Sequence, residues 1–127
     1  MQLPSFLRTK KQQAGDAAEA LAERYLTARG FKLLQRNYRC RHGEIDLIMR
    51  DLETTVFVEV RLRAEGRASG NFGGAAESIT RTKQQRIIAA AQHWLIGKTE
   101  CPCRFDVVLL EGIDTGDITW LRDAFST

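Results

Sequence analysis

Two acidic residues lie in neighbouring segments whose apolar and polar residues alternate. Asp46 belongs to residues 44–49 and Glu59 to residues 55–62, with a short polar segment between them. Alternation with a period of two is typical of β-strands, so the two segments predict a hairpin with a carboxylate on each strand. Carboxylate oxygens are the ligands that Mg²⁺ takes, usually one or two of them completed by water. The pair therefore predicts a divalent-metal site.

The register of this hairpin decides whether the two acids meet. A turn centred on residues 52–53 places Asp46 opposite Glu59 and Ile48 opposite Phe57. Directly opposed side chains have Cβ atoms about 4.5–5.5 Å apart. At ~4 Å and an effective dielectric constant of about 20, two carboxylates repel each other by about 4 kcal/mol, which a cation between them removes. A slip of one residue moves one acid to the other face of the sheet.

Each candidate residue also has an interpretation without chemistry. Arg61 and Arg63 lie close enough along the second strand to neutralise both acids. Glu19 lies at the border of the apolar stripe of a predicted helix, where it either reaches toward the sheet or points into water. Lys83 lies near the N-terminus of a second predicted helix, where free N–H groups favour anions such as phosphate. Its aliphatic stem can equally cover the edge of the core.

The segments that must position these residues follow from periodicity and from helix and turn signals. Apolar residues recur every three or four positions in two segments, which predicts helices, and Gly30 and Gly97 supply stop signals. Thr80 is a favourable N-cap for the second helix. The predicted elements in chain order are a helix 14–29, a strand 31–34, strands 44–49 and 55–62, a glycine-rich loop 64–76, a helix 81–96, a strand 104–110 and a short strand 118–121.

This order of elements predicts the fold class. The order α-β-β-β-α-β-β is typical of an α/β domain in which a mixed β-sheet is flanked by helices. Within the sheet, alternation places Ile45, Leu47 and Met49 together on one face. Residues 1–13 are polar and basic, so we expect a basic N-terminal arm before a single domain of residues 14–127.

Charge is distributed unevenly along the chain. The net charge is +3 and the pI about 9.0, and residues 1–43 contain nine Lys or Arg against three Asp or Glu. A second basic cluster spans residues 61–86. Such asymmetry favours an anionic partner such as nucleic acid, although solvated basic faces have the same composition.

Composition and hydropathy exclude several classes of protein. No apolar run reaches the ~18 residues of a membrane span, and the first residues lack the features of a signal peptide. We therefore expect a cytoplasmic protein with no membrane partner. The three cysteines are odd in number and lack zinc-finger spacing, which predicts reduced thiols.

The sequence around both acids resembles a known family. Residues 43–48 read Gly-Glu-Ile-Asp-Leu-Ile, residues 56–63 read Val-Phe-Val-Glu-Val-Arg-Leu-Arg, and residues 104–108 read Arg-Phe-Asp-Val-Val. These segments resemble the YraN-like family of uncharacterised bacterial proteins. That family is similar to the PD-(D/E)xK nucleases and especially to archaeal Holliday-junction resolvases. The resemblance implies a restriction-endonuclease-like core.

The resemblance also implies a function and a set of metal ligands. It implies a metal-dependent, endonuclease-like protein that acts on nucleic acid, with DNA favoured, branched DNA a candidate substrate, and a homodimer by analogy with resolvases. Glu19, Asp46 and Glu59 match the residues that bind Mg²⁺ or Mn²⁺ in that superfamily. The glycine-rich stretch 66–74 is expected to fold over the substrate.

One position departs from the superfamily pattern. The lysine of the E-x-K motif is replaced by Arg61 in this chain. Arginine stays protonated in proteins and cannot act as a general base, but it can hold a phosphate or stabilise charge on it. Lys83 is the candidate for the missing lysine.

Two sets of site residues follow from these interpretations. The catalytic set is Glu19, Asp46, Glu59, Arg61 and Lys83. The nucleic-acid-binding set is Arg41, Arg61, Arg63, Lys83 and Arg86. Two other functions remain open: a catalytically inactive protein that binds nucleic acid through the same basic groove, which Arg61 favours, and an interaction scaffold.

Overall fold

The order of helices and strands agrees with the prediction. The computed structural model describes residues 9–63, 79–112 and 117–127. The elements are helix α1 (Lys10–Thr27), strands β1 (Lys32–Cys40), β2 (Gly43–Asp51) and β3 (Thr54–Arg63), helix α2 (Arg81–Leu95), and strands β4 (Cys103–Glu111) and β5 (Asp117–Phe125). The glycine-rich loop predicted for residues 64–76 lies outside the described residues.

The five strands form one mixed sheet in chain order. Strands β3 and β4 are parallel, with α2 in the connection between them, and the other neighbouring pairs are antiparallel. Between β2 and β3, Ile48 faces Phe57 and Asp51 faces Thr54. The turn therefore lies at residues 52–53, and the predicted register is confirmed along these pairs.

The two helices cover opposite faces of the sheet. On one face Val56 and Val58 pack with Leu26 of α1, whereas on the other Phe57 packs with Ile87 of α2. Successive residues of a strand point to opposite faces, so each helix closes its own layer of the core. A mixed sheet between helices was predicted for a restriction-endonuclease-like core, and this arrangement agrees with it.

Helix α1 begins earlier than predicted. Its first residue is Lys10 because Thr9 and Gln12 form a capping box. The Gln12 N–H donates to Thr9 Oγ1 at 3.1 Å, and the Thr9 N–H donates to the Gln12 side chain at 2.9 Å. These bonds satisfy N–H groups that a helix start otherwise leaves free. Residues 10–13, which were predicted to belong to the arm, are therefore helical.

Helix α2 matches its prediction to within a residue. The Lys83 N–H donates to Oγ1 of Thr80 at 3.1 Å, so Thr80 is the N-cap, and the helix ends at Leu95. Gly97 follows with a positive φ of 79°. In the described ranges, no helix is long and apolar enough to cross a membrane.

The two edge strands are longer than predicted. Strand β1 covers nine residues and β5 another nine, whereas the sequence indicated only short strands at 31–34 and 118–121. Edge positions carry exposed polar side chains, which weaken the apolar alternation that marks a strand.

Cys40, Cys101 and Cys103 are free, and no disulfide links them.

Candidate functional site

Asp46 lies where strands β2 and β3 separate. The backbone pairing between the strands extends from Asp51 and Thr54 to Leu47 and Val58. At the next position, Asp46 Oδ2 accepts a hydrogen bond from the backbone N–H of Val60 at 2.8 Å. The Asp46 side chain therefore joins the two strands beyond the end of their backbone ladder.

Three acids from three elements meet at this point. Glu59 of β3 and Glu19 of α1 both lie close enough to Asp46 for its charge to raise their pKa values. Asp46 is thus the common neighbour of the other two acids, and the structure brings together all three residues predicted as metal ligands.

Burial raises the pKa of all three carboxyl groups, and the charge of Asp46 raises it further for Glu19 and Glu59. Glu59 is only 5% exposed, and burial followed by the charge of Asp46 raises its pKa from 4.5 to about 8. The same two causes raise the pKa of Glu19 to about 7. Burial also raises the pKa of Asp46, against the opposing effect of the Val60 N–H. The three groups therefore resist carrying three negative charges together at neutral pH.

Lys83 is a basic neighbour of these acids. Its Nζ lies 3.9 Å from Glu59 Oε2, in the first turn of α2. The charges of Lys83 and Arg61 lower the pKa of Glu59, but burial and Asp46 outweigh them. The sequence left open whether basic residues neutralise the acids, and at Glu59 the two positive charges leave the pKa above its ordinary value.

Gly43 lets helix α2 approach the start of β2. A Cβ at this position would meet the backbone oxygen of Arg86 and lie 2.9 Å from its carbonyl carbon, so a side chain has no room. Arg86 follows Lys83 by one helical turn. The close contact therefore fixes the helix at the height where Lys83 reaches Glu59. The sequence interpretation used Gly43 only as part of a motif and missed this packing role.

The remaining predicted basic residues lie at the same end of the sheet. Arg41 is exposed in the turn before Gly43, and Arg86 is exposed on α2. Arg61 and Arg63 are half-buried on β3, beyond Glu59. In the part of the chain that the structure describes, the buried Nε of Arg63 has no hydrogen-bond partner. Positive charge therefore borders the acids.

The predicted alternation along β2 is wrong at one residue. Leu47 and Met49 pack with α1, as one face of the strand should. Ile45 packs with Ile48 on the α2 side instead. The alternation of side chains is therefore interrupted at Asp46, the residue whose carboxylate lies near the other two acids.

Asn37 is a residue of this region that the sequence interpretation missed. Its neighbours Arg36 and Tyr38 pair with Leu47 and Ile45, the neighbours of Asp46, and its side chain lowers the pKa of Glu19. Its φ is 51°, a left-handed value. Asparagine adopts a left-handed conformation more readily than most residues. Its residue type is therefore the one feature of the sequence that could have indicated an unusual backbone here.

The three acids are suitable ligands for a divalent cation, but they do not form a complete coordination shell. Within residues 9–63, 79–112 and 117–127, no three His, Cys, Asp or Glu side chains form a ready-made metal-binding group. Mg²⁺ usually takes only one or two protein carboxylates and completes its shell with water or substrate phosphate. Asp46 and Glu59 meet that minimum, and Glu19 adjoins Asp46 as a source of a third oxygen.

Two cavities show how the site is placed. Glu19 and Asn37 line a cavity of about 370 Å³ between α1 and β1. A larger cavity of about 770 Å³ lies beside the β2–β3 turn and is lined by Trp94, Leu95 and other residues, but by none of the three acids. The three acids therefore lie outside the larger cavity.

Comparison with known proteins identifies the family. The profile of the family described as "Uncharacterised protein family UPF0102" matches residues 18–110, which include all three acids and Lys83. The chain belongs to this family. The resemblance to the YraN-like family predicted from the motifs is thereby confirmed.

Family UPF0102 contains relatives similar over nearly the whole chain. The UPF0102 protein of Methylobacillus flagellatus is 52% identical over 115 residues, which cover 91% of this chain and 98% of the relative. The UPF0102 protein of Nitrosococcus oceani is 57% identical over 115 residues, covering 87% and 90%. That of Janthinobacterium sp. is 50% identical over 127 residues, covering 98% of both.

Proposed function

We propose that this protein is a metal-dependent nuclease that hydrolyses phosphodiester bonds in nucleic acid, with DNA the favoured substrate. One observation carries the proposal: the buried Glu59 and the half-buried Glu19 and Asp46 meet beside Lys83, and their pKa values stay raised despite that positive charge. A divalent cation, Mg²⁺ or Mn²⁺, held there would supply an activated water and neutralise charge on the phosphate.

Each residue of the site has a role in this proposal. Asp46 and Glu59 provide the first carboxylate oxygens for the cation, and Glu19 provides a third, directly or through water. Lys83, 3.9 Å from Glu59, takes the place of the motif's lysine and contacts the scissile phosphate or the attacking water. Arg61 holds a phosphate oxygen through its guanidinium group.

The substrate would enter from the basic end of the sheet. Among the described residues the buried Nε of Arg63 has no hydrogen-bond partner, and such a donor suits a phosphate oxygen. Arg41 and Arg86 are exposed on either side of Gly43 and can contact the nucleic-acid backbone. These contacts position the strand and do not read its sequence.

A cleavage assay with matched variants tests the proposal. Labelled four-way junctions, linear duplex DNA and single-stranded RNA are incubated with Mn²⁺ and with wild type, Asp46→Ala or Glu53→Ala. Glu53 is an exposed acid in the β2–β3 turn, so its loss changes the charge equally without touching the site. We expect cleavage by wild type and Glu53→Ala only. Equal products from wild type and Asp46→Ala would rule out this mechanism.

The presence of Arg61 favours a second candidate, a nucleic-acid-binding protein without turnover. An arginine in the lysine position keeps affinity for phosphate but cannot accept a proton. This candidate predicts salt-sensitive binding that survives EDTA, with no cleavage by wild type. Arg61→Lys separates the two functions, because a gain of cleavage in that variant would show that only the lysine is missing.

A further inference from the structure

The backbone of Asn37 is unusual for the middle of a strand. Its φ of 51° lies in the left-handed region, which costs a residue with a Cβ steric strain. Asp123 also has a positive φ within a strand, but there the ladder between β4 and β5 shifts register. At Asn37 the ladder keeps its register from Arg36 to Tyr38. The conformation at Asn37 therefore does not come from an inserted residue.

The consequence of this backbone is a change in side-chain direction along β1. Arg36 points to α1, where its Nε and Nη2 donate to the Glu23 carboxylate at 2.7 and 3.0 Å. Asn37, the next residue, also faces α1, where it lines one cavity together with Glu19 and Glu23. Tyr38 then points to α2, where its hydroxyl is hydrogen-bonded with His93. Two consecutive side chains thus face the same helix.

Strand β2 changes direction at the matching position. Leu47 packs on the α1 side, its neighbour Asp46 contacts Glu19 of α1, and Ile45 packs on the α2 side. The pairs Arg36–Leu47 and Tyr38–Ile45 flank Asn37 and Asp46, so these two residues occupy the same level of the two strands. Both strands therefore turn together, and the turn brings Asn37 and Asp46 to the same carboxylate.

We infer that Asn37 is a positioning residue of the site: its left-handed backbone turns β1 and β2 together so that Asp46 meets Glu19, and its side chain holds the Glu19 carboxylate in place. An amide N–H donates to a carboxylate without adding charge, so it orients the acid without neutralising it. This inference rests on the proposed metal site and assigns that site a supporting residue.

Two substitutions separate the backbone role of Asn37 from its side-chain role. Asn37→Gly keeps a residue that accepts positive φ but removes the amide. Asn37→Ala removes the amide and disfavours the backbone conformation. We expect Asn37→Gly to keep the wild-type melting temperature and to bind Mn²⁺ about 10-fold or more weakly, as loss of an orienting partner usually does. Asn37→Ala should show the weaker binding and a lower melting temperature.

Mn²⁺ affinity is measured by calorimetry and by electron paramagnetic resonance, so the test does not depend on cleavage. In a Glu19→Gln background, Asn37→Gly should cause little further loss, because its effect passes through Glu19. Asp123→Gly, at another left-handed residue, is the matched control and should bind Mn²⁺ like wild type.

Each alternative result has a clear meaning. Wild-type affinity in Asn37→Gly, an equal loss in the Glu19→Gln background, or unfolding of Asn37→Gly would overturn the inference and leave the proposed function standing. Wild type that binds no Mn²⁺ would overturn the proposed function and this inference with it.

Discussion

Two buried acids of the same sheet show what separates a structural carboxylate from one suited to a cation. Asp106 of β4 is fully buried and surrounded by donors, which are Arg104 Nε at 3.0 Å, Trp120 Nε1 at 3.0 Å and the Asp123 N–H at 2.9 Å. Glu59 is almost as buried, but Lys83 Nζ is 3.9 Å away and another acid adjoins it. Buried charge needs close partners, so Asp106 needs no ion, whereas the proposed cation would supply a partner to Glu59.

The pH dependence of stability tests this difference. The folded chain keeps protons on Glu19 and Glu59 up to pKa values of about 7 and 8, whereas the unfolded chain releases them near 4.5. Unfolding therefore releases protons in this window, and the metal-free protein should lose stability as pH rises from about 5 to 8. Thermal denaturation checks the slope, which Glu59→Gln should flatten.

The same titration predicts the response to metal. Above pH 8 both acids are ionised, so Mn²⁺ should raise the melting temperature most at high pH and least near pH 5. A metal effect that is independent of pH, or that persists unchanged in Glu59→Gln, would mean that the ion binds elsewhere.

Lys83 should affect both proton and metal binding. Its charge lowers the pKa of Glu59, so Lys83→Met should raise that pKa further and move Mn²⁺ binding to higher pH. Cleavage should fall by on the order of 10²-fold or more if Lys83 acts in proton transfer. Lys98→Met is the control, because Lys98 Nζ donates to the Trp94 carbonyl at 2.7 Å at the other end of α2. It should leave both properties unchanged.

At the scale of elements, the site depends on how closely α2 lies against the β1–β2 turn. Gly43 sets that distance because the backbone of Arg86 occupies the space of a Cβ. Helix α1 makes no such demand at Gly15, where a Cβ would meet nothing within 4 Å. These two glycines therefore have opposite consequences when they are replaced.

We expect Gly43→Ala to destabilise the protein and Gly15→Ala to stabilise it. At Gly43 the added methyl must push α2 away, which costs about 1–3 kcal/mol and separates Lys83 from Glu59. At Gly15 alanine improves helix propensity by about 0.5–1 kcal/mol. Denaturant unfolding measures both, and a stable Gly43→Ala protein with unaltered Mn²⁺ affinity would contradict the proposed role of this contact.

Sequence reasoning predicted the hairpin well because its determinants are local. Alternating residues define β2 and β3, and the short polar turn fixes their register, so Ile48 does face Phe57. Thr80 and Gly97 likewise mark the start and the end of helix α2. These features need no knowledge of the rest of the chain.

The parts that were missed depend on contacts between distant residues. The turn of β2 at Asp46 requires the left-handed Asn37 on the neighbouring strand, and no pattern within 44–49 reveals it. The approach of α2 depends on Gly43 meeting Arg86, far along the chain. The early start of α1 is different, because the Thr9–Gln12 capping box is visible in the sequence and was overlooked.

Considered as a whole, the molecule separates its charges along the sheet. At the acid site, Arg41 and Arg86 are exposed, while Arg39 and Lys83 lie 3.8 and 3.9 Å from Glu44 and Glu59. Near the β2–β3 turn, Arg104 and Arg122 lie 3.3 and 3.9 Å from Asp51 and form ion pairs there. Nucleic acid should therefore bind at the first end.

The homodimer and the cytoplasmic location stay predictions.

Salt dependence of DNA binding tests this polarity. Each phosphate contact contributes a slope of about 0.9 in log affinity against log salt. Arg41→Ala combined with Arg86→Ala should weaken binding and reduce the slope by about 2. Arg50→Ala combined with Arg122→Ala removes the same charge near the turn and should change the slope little. Equal losses in both pairs would indicate general attraction without a defined groove.

The bond from the Val60 N–H to Asp46 Oδ2 gives the site a built-in reporter. The Val60 N–H bonds to a side chain because the backbone pairing of β2 with β3 has already ended at this point. The rate at which the Val60 amide hydrogen exchanges with heavy water should therefore depend on the position of the Asp46 carboxylate. Exchange should slow when a ligand holds that carboxylate in place, and it should speed up when a ligand moves the carboxylate away from the amide. A single amide resonance would thus record occupancy of the site before any substrate has been found.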